Sequence, residues 1–160
     1  MYVIKALEVS SYKNNQTLEG QMTPYVKHFI PDKEVEIFES IRHAVLRMPD
    51  IDLGKDEEDK LIILSCHMLA RAVARVFSLT CVDGYFYPIH NHSWIVTPQR
   101  NIIDVYPIAT LGGPTMMDGN NGIIARALYL PKSTREISSG RFSRKSFRSA
   151  VHKICAALQH

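Results

Sequence analysis

The sequence predicts an α+β fold, and three observations predict it. Apolar residues recur at helical spacing before residue 78 and again at the end of the chain. Between them lie three short runs rich in Tyr, Phe, Trp, Ile and Val, split by prolines, which is the texture of an antiparallel meander. The 160 residues suit a single domain over 1–160, with its core over 60–130.

The elements follow in order. Residues 2–9 alternate enough for a short strand, and 10–24 are polar and read as loop. A helix is predicted from Asp32 to Met48, with Asp32 as N-cap after Pro31 and Glu34 and Glu36 in the first turns. Phe38, Ile41, Val45 and Met48 share one face, and Pro49 ends the helix. An acidic loop over 50–59 leads to Leu61-Ile62-Ile63-Leu64. Ser65 is then a candidate N-cap that puts Cys66 in the first turn of a helix running to Phe77. The competing reading is one helix from Glu57 to Phe77, with Cys66 in its middle. Strands are expected at Thr80–Tyr87, Asn91–Thr97 and Asn101–Tyr106, with Asp83-Gly84 as a turn or bulge signal. Leu111–Gly122 holds four of the eight glycines and reads as a flexible loop, a candidate substrate flap. One more strand is expected at Ile123–Leu130. An amphipathic helix over 143–158 closes the chain, burying Phe147, Val151, Ile154 and Leu158.

Composition narrows the function classes. A hydrophobic share of 46% with 22% charged residues excludes disorder of the whole chain. No run approaches the ~18 apolar residues of a membrane span. No signal peptide is expected from the first residues, and the three cysteines (Cys66, Cys81 and Cys155) make no disulfide framework, so a cytoplasmic location with reduced thiols is expected. Residues 131–160 carry seven Lys/Arg against one Glu, a local excess that reads as the solvated face of the last helix. No aromatic platform or known motif accompanies it, so nucleic acid is not expected as a partner. The glycine-rich loop lacks the Gly-Lys-Ser/Thr of a phosphate-binding loop.

Three residues can be drawn together by this layout. Cys66 at a helix start would have its thiol acidified by the helix dipole. His92 on a strand could take the thiol proton, and Asp104 on the next strand could orient the imidazole. Strand arithmetic makes this a test. A three-residue loop, Pro98-Gln99-Arg100, pairs Thr97 with Asn101 and therefore Trp94 with Asp104. Asp104 then lies diagonal to His92 on the same face, at roughly 7–8 Å between backbones. A loop of two or four residues would send Asp104 to the other face.

The runs Ser65-Cys66-His67-Met68-Leu69-Ala70, His92-Ser93-Trp94-Ile95 and Ile102-Ile103-Asp104-Val105-Tyr106-Pro107 resemble the transglutaminase-like branch of the papain-type cysteine enzymes. That resemblance spans about residues 60–110 and implies a papain/transglutaminase-like core, with the Cys helix packed on an antiparallel sheet that carries His and Asp. It implies a Cys66 nucleophile, a His92 base and an Asp104 partner, acting on a protein, peptide or other amide through a thioester, as in a transglutaminase, deamidase, amidase or protease. No metal or organic cofactor is implied. Trp94, His90 and His67 are expected to line the substrate. The chain departs from the family where His67 follows the cysteine, a place that often holds an aromatic residue. No upstream Gln or Trp stands out as a second oxyanion donor. Two other readings stand beside this one: a metal-binding protein using His90, His92 and Cys66, and a non-catalytic interaction module of the same fold. Cys81 and Cys155 read as packing thiols.

Overall fold

The structure, a computed structural model, describes residues 30–86, 90–106, 114–119, 128–132 and 144–160. The strand expected at 2–9 and the loop at 10–24 lie outside them. The fold is mixed α+β, with three helices and a curled five-stranded antiparallel sheet among the described residues. The helices are α1 (Asp32–Arg47), α2 (Cys66–Val76) and α3 (Arg144–Ala157). The strands are β1 (Thr80–Phe86), β2 (His90–Val96), β3 (Ile102–Asp104), β4 (Thr115–Met117) and β5 (Tyr129–Pro131), in the order β4-β3-β2-β1-β5. Among the described residues, no helix is long and apolar enough to cross a membrane.

Helix α1 starts one residue differently from expectation. Pro31, not Asp32, is the N-cap, and its carbonyl accepts from the N–H groups of Glu34 and Val35. Asp32 instead sits in the first turn, where its charge meets the positive end of the helix. The expected face is buried: Phe38, Ile41, Val45 and Met48 pack into the main core. Glu34 is buried with them because it has partners. It accepts from Thr97 Oγ1 at 2.7 Å, Asn101 Nδ2 at 2.7 Å and Gln99 N at 3.1 Å. One carboxylate from α1 therefore clamps the turn that joins β2 to β3.

That turn sets the register on which the site depends. Thr97 N donates to the Asn101 carbonyl at 2.9 Å, Val96 faces Ile102, and Ile95 faces Ile103. Arg100 takes a positive φ of 65° to close the turn. The odd loop length predicted from the sequence is the one observed.

The two faces of the sheet differ. Ile95, Ile103 and Val105 pack with the helices in the larger core. Phe86, Trp94, Ile102 and Tyr129 form a smaller cluster of their own on alternate positions. Two expectations are corrected here. Asp83-Gly84 is not a turn: the pair lies inside β1, opposite Ser93 and His92. Gly84 is needed because a Cβ there would collide with the Leu130 carbonyl and the Trp94 ring. The loop expected over Leu111–Gly122 contains β4, which pairs with β3 through Thr115↔Asp104 and is sheet rather than a free flap. The last expected strand begins later, at Tyr129, and residues 123–127 lie outside the described ones.

Helix α3 buries Ala150, Val151, Ile154 and Ala157, while Arg144, Lys145, Arg148 and Lys153 are exposed, as a solvated basic face requires.

Candidate active site

The site begins at a helix cap. Ser65 is extended (φ −122°, ψ 160°), and its Oγ accepts from Met68 N at 3.3 Å. Helix α2 therefore starts at Cys66, and the single long helix from Glu57 is excluded. Upstream, the chain folds back on itself through a Lys55–Leu61 bridge. With Met68 N and Leu69 N satisfied by Ser65, the N–H groups of Cys66 and His67 are the first-turn donors that a helix leaves without an internal acceptor.

The β2–β3 ladder consists of Ile95↔Ile103 and Val96↔Ile102. Beyond it, toward His90, the tip of α2 meets side chains from both faces of β2. His92, on the face of the smaller cluster, is a neighbour whose hydrogen bonding and charge lower the Cys66 thiol. Ser93, on the other face, hydrogen-bonds His67 at 2.6 Å between Oγ and Nδ1.

On the first side, His92 Nε2 lies 2.8 Å from Asp104 Oδ2, and both residues are buried. Nε2 is thus committed to the carboxylate and Nδ1 is left for sulfur. Tyr129 OH donates to the same Oδ2 at 2.7 Å, and Tyr106 N donates to Oδ1 at 3.1 Å. Burial and the neighbouring Asp104 charge push the Tyr129 phenol far up, so it stays a donor. Trp94 stacks on the His92 ring at 6.3 Å between centroids, and Phe86 meets it edge-on at 6.0 Å. Trp94 is only 1% exposed. It backs the imidazole. His90 is exposed at the start of β2, on the rim.

Burial opposes the charge on Cys66, but hydrogen bonds and charge from His67 and His92 outweigh it and bring the thiol down to about 6. Burial likewise opposes charge on His92, but the bonds and charges of Asp104 and Cys66 outweigh it and raise the imidazole to about 9. Between these values the favoured state is a thiolate beside an imidazolium.

On the second side stands a network that the sequence reading did not assemble. Ser93 Oγ donates to Asp83 Oδ1 in a short bond, and Arg71 Nη2 pairs with Asp83 Oδ2 at 2.5 Å. Arg71 Nη1 also reaches Ser93 Oγ at 3.3 Å. Strand counting contains the signal for part of this, because β1 and β2 place Asp83 directly opposite Ser93. Tyr106, Tyr129 and Arg71 carry no such signal. Tyr106 OH donates to the Leu64 carbonyl at 3.3 Å, which fixes the approach to Cys66.

Among the described residues, no group of three or more His, Cys, Asp or Glu is arranged to hold a metal ion, which removes support from the His90/His92/Cys66 metal reading. A cleft of about 310 Å³ lies between the Leu53–Glu57 segment and α3, lined by Lys55, Lys145 and Lys153 among others, and it does not include Cys66. No protein-family model, curated protein or solved structure matches the chain.

Proposed function

We propose that this protein is a cysteine-dependent acyl-transfer enzyme acting at amide bonds, with Cys66 as nucleophile, His92 as acid and base, and Asp104 as the carboxylate that orients His92. The observation that carries the reading is the 2.8 Å bond from His92 Nε2 to a buried Asp104, on the ring whose hydrogen bonding and charge help to lower the Cys66 thiol. The resemblance of the three sequence runs to transglutaminase-like enzymes supports the same reading.

The chemistry follows from these positions. The Cys66 thiolate attacks the carbonyl carbon, and the Cys66 N–H faces the developing oxyanion at the helix tip. His92 gives its Nδ1 proton to the departing amine or ammonia as the C–N bond breaks, leaving a thioester. Water or a second amine then adds to the thioester carbonyl, the C–S bond breaks, and sulfur keeps the electron pair. Asp104 stabilises the imidazolium and holds the ring, and Tyr129 holds Asp104.

The test uses p-nitrophenyl acetate as an acyl donor and intact-protein mass spectrometry as readout. One acetyl group on Cys66, formed with a burst of nitrophenolate and absent in Cys66→Ala, is the expected result. Acetylation spread evenly over Cys66, Cys81 and Cys155, or retained in Cys66→Ala, overturns the reading. Ammonia release or amine incorporation on glutamine-containing peptides then separates hydrolysis from transfer.

A further inference from the structure

One buried hydroxyl next to Asp104 has nothing to bond. Thr115 is 5% exposed, and its Oγ1 makes no hydrogen bond among the described residues. A buried hydroxyl without a partner is costly, and native proteins keep few of them. Strand pairing fixes where this one lies. Thr115 stands directly opposite Asp104 in the β3–β4 ladder. Residues opposed in this way put their side chains on one face of the sheet, with Cβ atoms about 4.5–5.5 Å apart. The rest of β4 agrees: Met116 packs against the larger core, and Met117 against the cluster of Phe86, Trp94, Ile102 and Tyr129. Thr115 alternates with Met117, so its side chain is on the face that carries His92 and Asp104.

Asp104 can take one more donor. A carboxylate offers about four acceptor positions. His92 Nε2 and Tyr129 OH occupy those of Oδ2, and Tyr106 N takes one of Oδ1. The other position on Oδ1 has no donor among the described residues. The unbonded donor and the open acceptor thus belong to facing residues. At that separation, a turn of the Thr115 side chain between staggered positions brings Oγ1 within reach of the carboxylate. The need for it arises during the reaction. The Asp104 charge faces His92, which is its ion-pair partner. Once His92 has given its proton to the leaving group, that charge is buried without a cation, where a further hydrogen bond counts most.

We infer that Thr115 is a positioning residue of the acyl-transfer site, whose hydroxyl turns to donate to Asp104 Oδ1 and holds that carboxylate while His92 is neutral. The inference rests on the acyl-transfer reading for its use in turnover, and on the β3–β4 ladder for its place. His92 from β2 and Tyr129 from β5 are the other titratable groups that face Asp104, and Cys66 from α2 acts on His92. No covalent bond changes at Thr115, and its proton stays on Oγ1.

The experiment is an NMR titration of the His92 ring in the full chain, with the ring assigned by its loss in His92→Gln. Thr115→Val keeps the shape of the side chain and removes the hydroxyl. The Asp104 charge is then left more fully to His92, and the neutral ring is disfavoured. The His92 midpoint is expected to rise by about 0.5–1 pH unit in Thr115→Val and to return to the unaltered value in Thr115→Ser, which restores the hydroxyl. Thr115→Ala, read against Thr115→Ser, makes the same comparison if the valine packs badly. The alkaline limb of ammonia release from a glutamine-containing peptide should move upward with the midpoint. An unaltered midpoint in Thr115→Val marks Thr115 as an ordinary unbonded hydroxyl and overturns the inference, while leaving the Cys66–His92 reading in place. A midpoint that moves equally in Thr115→Val and Thr115→Ser assigns the effect to packing and overturns it too. If the unaltered protein shows no nitrophenolate burst with p-nitrophenyl acetate, the acyl-transfer reading fails, and the use of Thr115 in turnover fails with it.

Discussion

Cys66 and Cys81 are both half-buried thiols, and their environments drive them in opposite directions. Cys81 rises to about 11: burial dominates, the Asp83 and Cys66 charges add to it, and Arg71 only partly offsets them. Cys66 falls to about 6 against a burial penalty of its own, because two imidazoles bond to it. Burial alone would make both thiols inert. The difference lies in placement. Cys66 stands at a helix tip where β2 presents side chains from both faces, and Cys81 lies inside β1.

The largest effect should come from removing the partner that links Cys66 to the buried Asp104. In His92→Ala, the imidazolium and its link to Asp104 disappear, and burial regains weight at Cys66. Turnover on any acyl donor that needs a protonated leaving group is expected to fall roughly a thousandfold. The alkylation midpoint of Cys66 should move upward toward that of Cys81. A midpoint unchanged in this variant would mean that His92 does not hold the thiolate.

The pH profile sharpens the same point. Cys66 is lowered, so its charge is lost as pH falls through about 6. His92 is raised, so its proton is lost as pH rises through about 9. Turnover on an amide donor should therefore be bell-shaped, with an acid limb near about 6 and an alkaline limb near about 9. A single rise near the ordinary thiol value would contradict the ion pair.

Tyr129→Phe should have a smaller effect. It removes one donor from Asp104 Oδ2 and leaves the 2.8 Å bond to His92. Turnover is expected to fall about three- to tenfold, with little change in the Cys66 midpoint.

Glu34→Ala should leave the contrast between the thiols untouched. It strands Thr97, Gln99 and Asn101 donors at the β2–β3 turn, at a cost of about 2–4 kcal/mol in denaturant unfolding. The midpoints of Cys66 and Cys81 should remain where they are in the fraction that is folded. A shift in either would mean that the turn controls the site more than its distance in the fold suggests.

These contrasts also explain what was legible in the sequence. The Ser65 cap and the apolar stripe of α2 located Cys66, because caps and helical spacing are local signals. His92 and Asp104 could be placed on one face because strand alternation and an odd turn length turn counting into geometry. The same counting pairs Asp83 with Ser93 inside the expected strand Thr80–Tyr87, but the Asp-Gly step there also reads as a turn or bulge signal. Gly84 is there for a tertiary reason, the close approach of Leu130 and Trp94, and no local pattern reveals that. Tyr129 reaches Asp104 from a strand that pairs across the sheet, far along the chain. Its register depends on the long connection, not on a countable turn. Strand β4 escaped because three residues within a glycine-rich stretch carry little periodicity. Alternation puts Trp94 on the face of His92, where it packs with Phe86 and Tyr129.

The most direct measurement is site-resolved alkylation of the folded protein by iodoacetamide at pH 7, followed by mass spectrometry of the peptides that carry Cys66 and Cys81. Thiols near about 6 and about 11 differ by roughly four powers of ten in thiolate fraction at that pH, and the lower nucleophilicity of the more acidic thiol gives back about two. Cys66 should therefore react roughly 30- to 100-fold faster than Cys81. Equal rates, or a faster Cys81, would contradict an activated thiol at the tip of α2.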